Sequence, residues 1–258
     1  MNVEAIKAFD DNYIWLLTES DSAYCAVVDP GDEEPVIERI EQLGLQLSAI
    51  LITHKHYDHT GGVKALKKRW PEVLVFGPGD ESIDVVQLVV KENDTIALPH
   101  MDFSLKVMQV PGHTEGHVAY LSSDNLFCGD TLFAGGCGRV FTGTFEQMTH
   151  SLARIRQLPG QTKVFCAHEY TQANLGFASW VEPDSPAILA RVQKTNKMRE
   201  QNLATVPSVL ADELETNPFL RVNQPGVIAA AQKWAGKSLT GEVDVFTALR
   251  QWKDQDYD

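Results

Sequence analysis

Thr53-His54-Lys55-His56-Tyr57-Asp58-His59-Thr60-Gly61-Gly62 is the stretch on which the reading of this chain turns. Three histidines and an aspartate fall between positions 54 and 59, directly after the apolar, β-branched run Ala49 to Thr53. A strand that looks buried and ends on such polar groups is costly unless something uses them. On extended backbone His54 and His56 point the same way, because side chains alternate with period two. As the chain turns into Gly61-Gly62, Asp58 and His59 can face the same cavity from another side, the glycines permitting a tight turn before the next helix. Imidazole and carboxylate are the ligands of zinc and similar divalent ions.

Working outward, further candidates stand at strand ends in the same manner. Phe103 to Val110 leads into Pro111-Gly112-His113-Thr114-Glu115-Gly116-His117, Leu126 to Cys128 into Gly129-Asp130, and Thr162 to Cys166 into Ala167-His168. Polar groups on loops fixed by a rigid sheet are how many α/β sites are built. His54, His56, Asp58, His59, His113, Asp130 and His168 are too many ligands for one tetrahedral ion. They suit two ions roughly 3.5–4 Å apart, with Asp130 bridging and a shared water. Spacing alone does not choose between His113 and His117, and either could stand behind the ligands. His100 and His150 read as ordinary surface or core histidines.

The rest of the chain supplies an α/β frame. Tyr24 to Val28 ends in the turn Asp29-Pro30-Gly31, Val73 to Phe76 is another strand, and Ser122 to Asn125 joins the strands 117–121 and 126–128. Glu34 to Leu43 is an amphipathic helix closed by Gly44, and Gly62 to Trp70 is a second. Thr144 to Leu158 opens on a capping-box pattern, Thr144 with Gln147. After about residue 170 strand runs disappear and three helical stretches follow, at 185–203, 207–215 and 243–253. The expectation is a strand-rich metal-binding catalytic domain over 1–170 and a helical domain over 171–258.

At 258 residues the chain can bury a sizeable core without disulfides. Its net charge of −13 argues against a general affinity for nucleic acid or anionic membranes. Cys25, Cys128, Cys137 and Cys166 are scattered without CxxC pairing and read as buried small apolar residues. With no signal-peptide pattern at the N-terminus and no long apolar span, a cytoplasmic protein is expected.

THKHYDHTGG, PGHTEGH, CGD and AHEY together resemble the metallo-β-lactamase superfamily, whose HxHxDH signature binds two metals. Within it the chain is similar to the glyoxalase II (hydroxyacylglutathione hydrolase) family over essentially its whole length. The narrower likeness rests on Gly135-Gly136-Cys137-Gly138-Arg139, on His168-Glu169-Tyr170-Thr171, on Thr216-Asn217-Pro218-Phe219-Leu220-Arg221, and on Arg250 and Lys253. It implies a four-layer αββα sandwich with a C-terminal all-helical domain overhanging the site. It also implies ligand sets: His54, His56 and His113 on one metal, Asp58, His59 and His168 on the other, Asp130 shared. On that basis His113 is preferred to His117.

The activity implied is hydrolysis of S-(2-hydroxyacyl)glutathione, typically S-D-lactoylglutathione, to glutathione and a 2-hydroxy acid, the second step of methylglyoxal detoxification. A hydroxide held by two divalent metals and oriented by Asp58 would attack the thioester, with zinc the first choice of metal and iron or manganese also suited. Arg139, Arg250 and Lys253 would hold the glycyl carboxylate, with Tyr170 donating a hydrogen bond. Without the resemblance, Arg250 and Lys253 read as solvated charges on a terminal helix. Some family members carry Lys and Tyr where this chain has Arg139 and Phe141, so Phe141 brings no hydroxyl, though its backbone could serve. Partners are then the small-molecule thioester, with no nucleic acid, membrane or obligate protein partner. The alternatives are a glutathione persulfide dioxygenase or another hydrolase of this fold, such as a lactonase.

Overall fold

In the computed structural model, which describes residues 1–257, strand β1 (Asn2–Ala8) folds back antiparallel on β2 (Asn12–Thr18), with Ala8 opposite Asn12. Asp258, the last residue of the expected helical domain, lies outside the described residues. β3 (Tyr24–Val28) joins β2 antiparallel, and α1 (Glu34–Leu43) then crosses over to β4 (Gln46–Leu51), parallel to β3. A single turn, α2 (Tyr57–Thr60), and α3 (Val63–Arg69) lead to β5 (Leu74–Pro78), which is followed by β6 (Leu88–Val90). The strand order is β1-β2-β3-β4-β5-β6. One face of this mixed sheet packs Leu16, Val27, Ile50 and Val75 against Val36 and Ile40 of α1 and Val63 and Leu66 of α3. The other face is buried as well, so β2 is an apolar run without alternation, as covered strands are.

A second, antiparallel sheet covers that other face with β7 (Thr95–Ala97), β8 (Ser104–Gln109), β9 (Val118–Ser122) and β10 (Asn125–Gly129), in the order β10-β9-β8-β7. Tyr120 on β9 donates to the Ile52 carbonyl at 2.7 Å, and the Val118 amide donates to the Thr53 carbonyl at 2.9 Å. These bonds fix the chain immediately before His54. All of this lies in one compact unit, Met1–Val110 with Thr114–Gly129.

The second unit joins Pro111–His113 to the chain from Asp130 onward. It opens with a small hairpin, β11 (Leu132–Phe133) and β12 (Gly136–Cys137). α4 (Phe145–Ile155) begins with the expected capping box: Thr144 accepts from the Gln147 amide and the Gln147 side chain accepts from the Thr144 amide. β13 (Lys163–Cys166) follows, then α5 (Thr171–Val181), α6 (Pro186–Glu200), β14 (Ser208–Val209), α7 (Leu210–Thr216), α8 (Pro225–Ala235) and α9 (Gly241–Trp252).

Two expectations are corrected here. Helices α5 and α8 add to the three read from the sequence. Strand pairing also continues past residue 170, where β14 pairs with β13. α5 carries Gly176 in its middle and lacks a polar stripe, so its periodicity is faint. Phe177, Phe219 and Phe246 form its aromatic core, with ring centroids 5.7–5.9 Å apart along the chain of contacts. No helix among the described residues is long and apolar enough to cross a membrane.

Candidate metal ligands and a cationic cavity

In the first unit, His54 and His56 lie on extended backbone beyond β4 and point together, as alternation requires, with His54 Nε2 3.0 Å from His56 Nδ1. Asp58 and His59 sit on the one-turn helix α2, with His59 Nε2 3.3 Å from Asp58 Oδ2. The glycines that follow serve differently from expectation. Gly61 and Gly62 have ordinary helical backbone, but a Cβ would stand 2.5 Å from the Gly31 carbonyl oxygen or 2.6 Å from the Glu33 amide nitrogen. Close approach, not turn conformation, requires them.

Asp29 organises this loop and was not singled out in the sequence. It is buried, with φ of +54°, and accepts from the Thr53 amide and the Thr53 hydroxyl, each at 2.7 Å. With its proton directed to Asp29, the Thr53 hydroxyl can only accept from His54 Nδ1, 3.0 Å away. His59 Nδ1 lies 3.0 Å from Asp29 Oδ2 and donates to it. Both rings therefore carry their hydrogen on Nδ1 and offer the Nε2 lone pair, the arrangement by which an outer carboxylate prepares a histidine for a metal.

Asn12 donates to Asp58 Oδ2 at 3.0 Å and so fixes that carboxylate. Glu81, also buried, accepts from the amides of Lys55 and Gly116. His117 is fully buried and stacks on His54, centroids 4.6 Å apart, as a packing neighbour. His100 stacks on Tyr24 away from these residues.

In the second unit, His113 Nδ1 donates to the Arg139 carbonyl at 2.8 Å, which again leaves Nε2 as the ligand atom. Asp130 lies between two rings: Oδ2 is 3.5 Å from His113 Nε2 and Oδ1 is 3.4 Å from His168 Nε2. Those separations exceed a hydrogen bond. They match the edge of a tetrahedron whose bonds are about 2.1 Å. Donor identity, tautomer and spacing within each unit thus fit metal ions, and the chain carries histidines and aspartates able to bind them.

His113 and Asp130 also line a cavity of about 490 Å³. Its wall includes every expected substrate residue: Arg139, Phe141, Tyr170, Arg250 and Lys253. Arg250 and Lys253 are not solvated terminal charges, being only 1% and 6% exposed. The Arg250 guanidinium donates to the Cys137 carbonyl at 3.1 Å and to Asp254 at 2.9 Å, and lies over the Phe219 ring. Arg139 Nε is 3.6 Å from the same Asp254. Burial pushes the Cys137 thiol up to about 11 despite the neighbouring Arg250 charge. Tyr170 stacks flat on His168 at 4.7 Å. Phe141 is exposed and its amide donates to the His113 carbonyl, so its backbone serves the ligand loop and its ring faces the cavity.

The HEYT and TNPFLR stretches have structural tasks. Glu169 accepts from the Thr205 amide at 2.8 Å. Asn217, fully buried, donates to the carbonyls of Phe133 and Gly136 and accepts from the Phe219 amide. Glu213, equally buried and paired with Arg191, accepts from the Gly135 amide at 2.8 Å. Together they hold the β11–β12 hairpin, which supplies Phe133 and Cys137 to the cavity.

Residues 9–168 match the model of the metallo-beta-lactamase superfamily, and residues 169–256 match that of the hydroxyacylglutathione hydrolase C-terminus. Among solved structures, the BLEG-1 B3 metallo-beta-lactamase superposes with a TM-score of 0.65 at 21% identity, covering 85% of this chain and 99% of that one. It shares the fold. A hydroxyacylglutathione hydrolase of Alkalilimnicola ehrlichii is 52% identical and one of Psychromonas ingrahamii 50%, each over 98% of both chains. The chain is a metallo-β-lactamase-fold hydrolase and belongs to the hydroxyacylglutathione hydrolase family.

Proposed function

We propose that this chain hydrolyses the thioester of S-(2-hydroxyacyl)glutathione, with S-D-lactoylglutathione as its typical substrate, to glutathione and D-lactate. The observation that carries this reading is the buried pair Arg250 and Lys253 on the wall of a cavity that also contains His113 and Asp130. Arg250 is already paired with Asp254, and a cavity wall lined by buried cations favours an anionic ligand. A glutathione conjugate brings its glycyl carboxylate to them and its thioester to the ligand side. Arg139 adds a third positive charge, Tyr170 a hydroxyl, and the Phe141 ring an apolar wall.

His54, His56 and His113 would hold one divalent ion and Asp58, His59 and His168 the other, with Asp130 shared; zinc, iron and manganese all suit such nitrogen and oxygen donors. Bound there, the ions would lower the pKa of water from 15.7 towards 7 and stabilise charge developing on the carbonyl oxygen. Asp58, held by Asn12, orients the attacking water. The carbon–sulfur bond breaks as a carbon–oxygen bond forms, and glutathione leaves as its thiolate. The work divides between a catalytic domain, 1–170, and a substrate-binding helical domain, 171–258. Free, buried thiols at Cys25, Cys128, Cys137 and Cys166 suit a reducing cytoplasm.

The test compares S-D-lactoylglutathione with the D-lactoyl thioester of N-acetylcysteamine, which keeps the reacting group and lacks the carboxylates. kcat/KM is expected to fall by about 100-fold or more when those charge-assisted contacts are lost. Equal values for the two thioesters would remove glutathione from the assignment.

A further inference from the structure

A glycine inside a helix is a standing cost of about 1 kcal/mol against alanine unless close approach requires it. Gly176 stands in the interior of α5, and a Cβ there would lie 1.9 Å from the hydroxyl oxygen of Tyr257 and 3.1 Å from its Cζ. Tyr257 is the last residue of the turn Lys253–Tyr257, which winds as a π-helix beyond α9. Its ring is caught edge-on by Trp180 at 4.9 Å and Phe177 at 5.7 Å, both on α5 with Gly176. The Lys253 ammonium sits over that ring, 5.7 Å from its centroid, while the same lysine lines the cationic cavity. Trp234 donates to Asp256 at 2.6 Å, and Arg250 donates to Asp254, so the turn is held along its length.

We propose that Tyr257 is a positioning residue for substrate binding: seated on the bare backbone at Gly176, it fixes this turn and directs the Lys253 ammonium into the cavity. Lys253 itself ends α9 in α-helical conformation, φ −63° and ψ −43°, and the π-wound turn that follows brings the Tyr257 ring to its ammonium. The ring's negative face supplies an electrostatic seat for the ammonium. This rests on the reading of the cavity as a glutathione site.

The experiment measures KM, kcat and thermal midpoint for Gly176→Ala, for Tyr257→Phe, for the two together, and for Lys253→Ala, on S-D-lactoylglutathione. Gly176→Ala adds a methyl group where the hydroxyl rests, so the ring and the lysine above it are displaced. KM is expected to rise about tenfold, the order for losing one charge-assisted contact, with kcat within about twofold and a lower thermal midpoint, since the collision outweighs the helix preference for alanine. Removing the hydroxyl relieves the 1.9 Å collision and leaves a 3.1 Å contact with the ring that a small shift absorbs, so the double variant is expected to return close to the KM of Tyr257→Phe alone. That rescue separates positioning from general damage to α5. A wild-type KM in Gly176→Ala, or a double variant no better than it, with Lys253→Ala raising KM, would overturn the role of Tyr257 and leave the cavity's assignment standing. An unchanged KM in Lys253→Ala would overturn both.

Discussion

Asp29 takes three donors onto one buried carboxylate, and through them sets the tautomers of His54 and His59. Its backbone lies in the left-handed region, which asparagine tolerates well. Asp29→Asn therefore keeps the turn while replacing an acceptor with an amide group that faces donors. Metal affinity is expected to fall between about 10- and 100-fold, the usual effect of losing an outer-shell partner, as read by competition with a chromophoric chelator. Unchanged affinity would mean that Asp29 serves the turn alone. Residues of this kind explain what the sequence kept hidden. His54, His56, Asp58 and His59 were legible because such groups are improbable at the end of a buried strand. Asp29 and Asn12 are ordinary turn and loop residues whose importance comes from partners 24 to 46 positions away. Arg250 and Lys253 stood between the two: their types suggested a site through the family likeness alone, and only burial distinguishes them from solvated charges.

At the scale of elements, the hairpin β11–β12 has too few residues to stand by itself and depends on α7 and the turn after it. Asn217 satisfies the carbonyls of Phe133 and Gly136 and the amide of Phe219 at once. Asn217→Ala orphans these buried groups and is expected to cost about 2–3 kcal/mol, measured as a shift in urea midpoint. A shift worth under about 0.5 kcal/mol would show the hairpin to be self-supporting. The TNPFLR stretch was read as a family signature, and its physical content is this clamp. α1 and α4 could be read from capping and periodicity because both signals are local. β1 and β2 lack the contiguous β-branched residues that mark Tyr24–Val28 and residues 49–53 as strands, and in α5 the glycine that admits Tyr257 interrupts the pattern.

For the molecule as a whole, buried thiols link stability to pH. Burial pushes Cys25 and Cys166 up to about 12 and Cys137 up to about 11, and raises the buried Tyr120 phenol as well. Below pH 9 the thiols are protonated in both folded and unfolded chains and add no pH dependence. Above it the unfolded chain releases their protons while the folded chain holds them, so folding loses about 1.4 kcal/mol per pH unit for each thiol. The urea midpoint is expected to fall between pH 9 and pH 10, and less steeply once Cys25, Cys137 and Cys166 are replaced by alanine. Equal slopes would place those thiols in contact with solvent.

The most direct measurement follows loss of the thioester absorbance of S-D-lactoylglutathione by the purified, metal-analysed chain, with and without a chelator. Hydrolysis that stops on chelation and returns when zinc, iron or manganese is restored, at two ions per chain, is the expected result. Undiminished hydrolysis by the metal-free chain, or none by a chain loaded with two ions, would contradict metal-assisted hydrolysis of a glutathione thioester.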